Sequence, residues 1–292
     1  MRFDNLQKGE YIIDLTVKAV EDTVVHAFTN HRRFLLSGRE LKKGESVHGK
    51  FAVALRDADF QKQPEYRDDF VEVKVTGDCT FEAKIEKVNL PAIYCLGDST
   101  VCDQPYEGGD ELSRCCGWGQ TLSMYLGDKF AVSDHAEQGT HTADCLSCHI
   151  KPVLEQLREG DIVLAQFGHN DQKQDWLKAF GGYRENLIKI ANEVGQRGGK
   201  CVLCTPINRL IYVDGKLNTY LDEYAVAVRS AAEELGLGCI DLHGFTSRTY
   251  EEMGTAAENL FYHPDGPLDR THPNDLGGKL IGEYVSSKIT EA

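Results

Sequence analysis

Five residues of this chain have the types and the order that acyl transfer requires. Ser99 stands in Gly97-Asp98-Ser99-Thr100, directly after the apolar run Ala92-Ile93-Tyr94-Cys95-Leu96, and Asp269 and His272 stand three residues apart near the other end. Between them lie Gly139, in Glu137-Gln138-Gly139-Thr140, and Asn170, in Gly168-His169-Asn170-Asp171. A serine hydroxyl is a poor nucleophile until a base takes its proton. A histidine supplies that base, and a carboxylate three residues before it can hold one ring nitrogen and leave the other to act. A glycine N–H and a side-chain amide can both donate to a developing oxyanion. Each piece alone has an ordinary reading: Gly-Asp-Ser is good turn chemistry, and His272-Pro273-Asn274-Asp275 holds helix-start signals. Four pieces in this order, each in a loop or at a strand end, make a full set for acyl transfer.

Elements must bring these distant positions together. From Asn89-Leu90-Pro91 onward, strand-like runs (92–98, 130–136, 161–168, 200–207, 238–243) alternate with helical ones (117–127, 141–158, 180–197, 219–236, and a last helix from 274). The strand runs are nearly all apolar, as buried parallel strands are. Regular alternation predicts a three-layer α/β/α sheet, in which ligands bind at the carboxyl ends of the strands. Ser99, Gly139 and Asn170 follow three such ends. Residues 1–88 read differently. Short runs at 11–17, 23–28, 33–36, 47–55, 70–75 and 79–85, most of them alternating apolar and polar, are separated by Gly, Asp and Lys turns. They predict a small β-sandwich accessory domain, with the catalytic domain in 89–292.

Composition narrows the partners. The chain has 292 residues, 41% hydrophobic and 27% charged, with a formal charge of −14. These are ordinary values for globular protein, and the acidity argues against nucleic acid or an anionic membrane surface. No apolar run approaches the length of a membrane span. The first residues carry no segment of signal-peptide type, so the chain as written is expected in the cytoplasm; an exported protein trimmed of its leader would read the same. Ten cysteines, several inside apolar strand-like runs, read as reduced thiols behaving as small hydrophobes. The sequence carries no signal for an oligomeric state.

Other signals are weaker. Cys145-Leu146-Ser147-Cys148-His149 fits a haem-attachment pattern, but it falls in a predicted helix. Cys115 and Cys116 with Cys145 and Cys148 can supply four thiolates to zinc, at a spacing that matches no standard ribbon. No metal and no cofactor is expected. Asp241 and His243 form a second acid–histidine pair, placed on one face of the fifth strand, for which a structural role is the simpler reading; His169 and Asp171 read as scaffold. Among aromatic residues, Tyr106, in the long loop after Ser99, is the candidate for substrate contact, while Trp118 reads as packing.

At the four motif blocks the chain resembles the SGNH, or GDSL-type, hydrolases. Ser99, Gly139, Asn170 and His272 match the family's blocks in order, and Asp269 matches its carboxylate. The resemblance implies Ser99 as nucleophile, and an oxyanion hole from the N–H groups of Ser99 and Gly139 and the Asn170 amide. It makes His272 the base, oriented by Asp269, on a parallel five-stranded, flavodoxin-like sheet. Gly117-Trp118-Gly119-Gln120, the His135-Ala136-Glu137 stretch and Gly168-His169-Asn170-Asp171 look closest to rhamnogalacturonan acetylesterases. Several bacterial relatives of that kind carry a β-rich domain ahead of the catalytic one. That likeness implies an acetylated plant oligo- or polysaccharide as substrate. Thr140-His141 after Gly139, where such relatives often carry Arg, departs from the pattern and bears on the sugar rather than on the catalytic set. The alternatives are a lipase- or thioesterase-like acyl hydrolase, for which the predicted loops lack a long apolar stretch, and a non-catalytic glycan-binding protein, against which all five positions stand.

Overall fold

Side-chain alternation along the strands decides how the layers form. In β8 (Ala92–Gly97) the side chains of Ala92, Tyr94 and Leu96 enter one buried cluster and those of Ile93 and Cys95 another. Strands β10 (Ile162–Gln166) and β11 (Lys200–Cys204) divide in the same way, Val163, Ala165, Cys201 and Leu203 against Leu164, Val202 and Cys204, as a period of two requires. The computed structural model describes residues 1–62, 64, 69–104, 115–218, 220–261 and 268–290. In it, the second face is covered by α1 (Leu122–Leu126). A short turn α2 (Thr142–Asp144) leads through a π turn at Cys145–His149 into α3 (Ile150–Gln156). With α4 (Arg184–Gln196) and α5 (Asp222–Leu235), α3 covers the first face. α6 (Leu242–Met253) and α7 (Asp275–Thr290) complete the second. The result is three layers.

Five strands run parallel, in the sheet order β14 (Gly238–Ile240), β11, β10, β8, β9 (Ala131–Asp134). The chain enters at β8, steps out to β9, then crosses to β10 on the other side. The order reverses beside β8, and the carboxyl end of such a reversal is where open α/β sheets bind ligands.

The sheet does not end at five strands, and this departs from the expectation of a separate sandwich ahead of it. β9 pairs in parallel with β5 (Ser46–Leu55) through Val53 and Val132. β5 then pairs antiparallel with β2 (Gly9–Ala19), and β2 with β7 (Cys79–Val88), giving eight strands in all. The physical reason is in β5, whose last five residues, Phe51 to Leu55, are all buried. An edge of unpaired N–H and C=O groups there would be costly, and β9 covers it. A second sheet, ordered β1 (Arg2–Phe3), β6 (Val71–Thr76), β3 (Thr23–Thr29), β4 (Arg33–Leu41), closes over β2 and β5. Ile13, Leu15, Val17, Val25, Leu35 and Val73 fill the space between them. A small hairpin, β12 (Tyr212–Val213) and β13 (Lys216–Leu217), lies apart.

Two local expectations change. The run 141–158 is not one helix, because the π turn interrupts it. The run 238–243 is a strand only to Ile240: Asp241 accepts the Gly244 N–H at 3.1 Å and caps α6, the usual work of an aspartate at a helix start. Asp241 also receives Arg229 at 2.8 Å, and His243 faces Asp222 at 3.1 Å. Asp241 and His243 are thus engaged with α5 and with the start of α6. No helix among the described residues is long and apolar enough to cross a membrane.

Charged tethers bind the N-terminal strands to the α/β layers. Arg32 donates to Asp275 at 2.6 Å, both side chains being almost wholly buried (5% and 0% exposed), and also to the carbonyls of Gln104 and Cys115. Arg33 meets Asp103 at 2.6 Å. Glu10 receives both Arg56 and Arg158. Removing one partner of a buried pair strands the other charge, which costs about 3–5 kcal/mol. Arg32→Ala should therefore lower stability by that amount in urea unfolding, while Arg32→Met with Asp275→Leu recovers most of it. A loss below about 1 kcal/mol for the single variant would mean the pair does not join the two regions.

The buried His135 ring weakens the fold in acid. Burial, the largest influence, pushes the His135 ring from 6.5 down to about 3, with the positive charge of Arg33 adding to it. Folded His135 is neutral while the unfolded ring protonates below its ordinary value, so the unfolded chain binds more protons and stability falls as the pH drops from about 6.5 toward 3. Asp98, raised by burial to about 6 against the hydrogen bonds from Thr100, works in the opposite direction between about pH 4 and 6. The clean measurement is a difference. Between pH 7 and pH 5 the wild type should lose about 2 kcal/mol more than His135→Asn. Parallel curves would show that His135 does not titrate on unfolding.

Candidate active site

Ser99 owes its position to the carboxylate before it. Asp98, fully buried at the end of β8, accepts the Thr100 N–H at 2.9 Å and its hydroxyl at 2.7 Å, while its own carbonyl receives the N–H groups of Val101 and Cys102. The chain is bent sharply there. Asp98 and Thr100 point inward and Ser99 between them remains partly exposed.

The structure brings Ser99, His272 and Asp269 together. Ser99 Oγ lies 2.8 Å from His272 Nε2, and His272 Nδ1 lies 2.7 Å from Asp269 Oδ2. The other Asp269 oxygen accepts the N–H groups of Thr271 at 2.8 Å and His272 at 3.1 Å. Burial works to raise the Asp269 carboxyl, but the His272 ring and these two N–H groups outweigh it and hold the group well below the usual carboxylate range. An ionised Asp269 fixes the tautomer that carries the proton on Nδ1, which leaves Nε2 free to accept the Ser99 proton.

Gly139 and Asn170 stand on the neighbouring loops. Gly139 has φ +69°, a conformation that suits glycine, in the loop after β9. Asn170 follows β10, and its amide is oriented from both ends: Nδ2 donates to the Thr140 carbonyl at 3.1 Å and Oδ1 accepts Lys173 Nζ at 3.0 Å. An amide nitrogen has two N–H groups, so one is left beyond the Thr140 bond. The Thr140 bond also ties the Asn170 loop to the Gly139 loop. Asp171 is buried and accepts the Gly168 N–H at 3.2 Å and the Thr142 N–H and hydroxyl at 2.9 and 2.6 Å. It is scaffold, as expected. His169 is buried, and burial, helped by Arg209 and His272, holds its ring well below the ordinary histidine range.

Of the aromatic residues, Trp118 and Tyr183 are fully buried, with Trp118 Nε1 on Gln166 and the Tyr183 hydroxyl on the Phe167 carbonyl. Tyr106 lies outside the described residues. The residue that sequence reasoning missed is Trp176, 58% exposed and set edge-on to His141 with ring centres 5.4 Å apart. Its signal was a tryptophan inside a polar loop, Gln172-Lys173-Gln174-Asp175-Trp176, a few residues after Asn170.

The cysteines do not converge on a four-thiolate site. Cys116 packs with Phe28 and Phe34, whereas Cys145 lies in the cluster on the first face of the sheet, and all ten thiols are free. His149, the histidine of the haem-like pattern, faces Glu137 at 3.4 Å in the interior. Among the described residues, the group able to hold a metal is Cys115, Asp269 and His272, whose ligand atoms lie within 4.8 Å of one another. A cation there would compete with the bonds that His272 makes to Ser99 and Asp269. Burial, together with Asp269, pushes the Cys115 thiol up to about 11. It is protonated near neutrality and does not rival Ser99 as nucleophile.

Comparison with known proteins places the chain in a family. Residues 95–280 match the model of the GDSL-like lipase/acylhydrolase family. Rhamnogalacturonan acetylesterase RhgT of Bacillus subtilis is 30% identical over 212 residues, covering 68% of this chain and 89% of its own. The crystal structure of protein YxiM from Bacillus subtilis superposes with a TM-score of 0.63 at 22% identity, over 99% of this chain and 79% of its own. Axe2, an acetylxylan esterase from Geobacillus stearothermophilus, superposes with a TM-score of 0.51 at 18% identity, over 69% of this chain and 93% of its own. The chain belongs to the GDSL-like lipase/acylhydrolase family, the SGNH hydrolases, and is a carboxylic ester hydrolase.

Proposed function

We propose that the chain is a serine esterase that removes acetyl groups from a plant cell-wall carbohydrate of the rhamnogalacturonan or pectin type. The observation that carries this reading is the run of short contacts from Ser99 through His272 to Asp269 at the carboxyl end of the sheet. The names of RhgT and Axe2 support an acetylated carbohydrate as the substrate class. Residues 1–88 serve as an accessory region to the catalytic residues in 89–292.

In this mechanism Ser99 Oγ attacks the ester carbonyl and gives its proton to His272 Nε2. Asp269 stabilises the imidazolium as it forms. The tetrahedral oxyanion is held by the N–H groups of Ser99 and Gly139 and by the second N–H of Asn170. Collapse expels the sugar alkoxide, which takes the proton back from His272 and leaves the acetyl group on Ser99. A water molecule, deprotonated by His272, repeats the attack and releases acetate.

Acetate release from acetylated pectin, acetylated xylan and acetyl-oligosaccharides should therefore vanish in Ser99→Ala, and the best of these substrates names the sugar. Retention of turnover by a folded Ser99→Ala protein would overturn the reading. Asn170→Ala should lose about a hundred- to a thousandfold in kcat, measured on 4-nitrophenyl acetate with a circular dichroism spectrum as the folding control. Preference for acetate over octanoate esters is expected, and the reverse would favour a lipase-like enzyme.

Trp176 offers an apolar face beside the Asn170 loop, and sugar rings stack on such faces. Trp176→Ala should raise KM for acetyl-oligosaccharides about threefold to tenfold relative to KM for 4-nitrophenyl acetate. An equal change on both substrates would assign Trp176 a purely structural role.

A further inference from the structure

The family match begins at residue 95, yet the N-terminal region reaches the loop that carries Gly139. The anchor is Glu137, a carboxylate with no exposed surface two residues before that glycine. Its two oxygens accept consecutive backbone N–H groups from the N-terminal region, Lys62 at 2.5 Å and Gln61 at 3.1 Å. Clamping two successive amides fixes both the place and the direction of the chain at Lys62. The Lys62 side chain then runs along the loop: Nζ donates to the Gln138 carbonyl at 3.0 Å and lies 3.1 Å from the point where a Cβ on Gly139 would stand. The ammonium therefore occupies the side-chain side of the glycine to which an oxyanion N–H is assigned above.

Two more cations face the same edge. Lys173 holds the Asn170 amide oxygen at 3.0 Å, and Arg209, half-buried, lies 3.4 Å from the His169 carbonyl and feels Asp98 and Asp269. Of the carboxylates nearby, Asp98, Glu137 and Asp171 are buried, Asp269 is engaged with His272, and Asp59, three residues before Lys62, accepts the Gln61 side-chain amide at 2.7 Å. A chain of net charge −14 thus presents positive charge on the loops that carry Gly139 and Asn170. Lys62 and Lys173 are both exposed; Lys173 is committed to the Asn170 amide oxygen, while the Lys62 ammonium has three donors, of which the Gln138 carbonyl takes one.

We propose that Lys62 is a specificity-determining residue that receives a carboxylate of the substrate, so that the N-terminal region completes the site for acetylated oligosaccharides containing uronic acid. This rests on the esterase reading above. It differs from that reading in assigning charge selection to a residue outside the part of the chain that the family model matches.

The test compares acetylated oligogalacturonides with the same oligosaccharides after reduction of their carboxyl groups, which keeps ring and acetyl group and removes the charge. For Lys62→Gln the ratio of kcat/KM on the charged substrate to that on the neutral one should fall about tenfold. Lys62→Arg should restore most of it, and the wild-type preference should weaken with added salt. A ratio that stays within twofold of wild type, whether both activities fall together or neither does, overturns the proposal. Calorimetric binding of the two oligosaccharides to Ser99→Ala, with and without Lys62→Gln, reads the same contact without turnover. A lost preference in binding supports Lys62 even if the esterase reading fails, and an unchanged one sinks it even if that reading holds.

Discussion

The buried ion pair between Arg32 and Asp275 is the constraint on which the catalytic geometry leans. Asp275 begins α7 three residues after His272, and Arg32 sits in the turn between β3 and β4. The same guanidinium also donates to the carbonyls of Gln104 and Cys115. Cys116 in turn gives its N–H to the Pro273 carbonyl, next to His272. One cation therefore ties the chain after Ser99 to the chain around His272. A pair this deep adds little net stability compared with apolar packing, because desolvation offsets much of the attraction. Its effect is on register: a planar fork with fixed donors tolerates few arrangements of its acceptors. The proposed relay from Ser99 to Asp269 needs that kind of precision, since catalytic groups act within hydrogen-bond reach.

Much of this was legible in the sequence, and the reason is local. Ser99, Gly139, Asn170 and the Asp269–His272 pair each sit in a short stretch whose own chemistry fixes its shape. Asp98 bends the chain around Ser99, and Asp269 receives the N–H groups of Thr271 and of His272 itself. The alternation from residue 92 onward predicts parallel strands because burial on both faces leaves almost no polar position in them. What the sequence hid depends on distant partners. The pairing of β5 with β9 rests on one residue pair, Val53 with Val132, and nothing near Val53 announces it except the apolar run 51–55. Trp176 was missed for a similar reason: its polar neighbours pointed to the surface, but whether a tryptophan is core or surface depends on what folds over it.

The hidden pairing has consequences for charge. Because β5 lies beside β9, the chain leaving β5 is delivered to the loop after β9, where Glu137 waits as a buried acceptor for the amides of Gln61 and Lys62. A carboxylate inside a protein needs hydrogen-bond donors, and here two of them come from the segment that follows β5, with His149 of the α/β layers 3.4 Å from the same carboxylate. Glu137 thus makes the two regions depend on each other: without residues 61 and 62 its charge would lose two of its partners, and without Glu137 the chain at Lys62 would lose its anchor. A β region that were merely appended would have no cause to satisfy a buried group two residues from Gly139. On the proposal for Lys62, the charge beside Gly139 belongs to the eight-stranded sheet as a whole and not to its parallel strands alone.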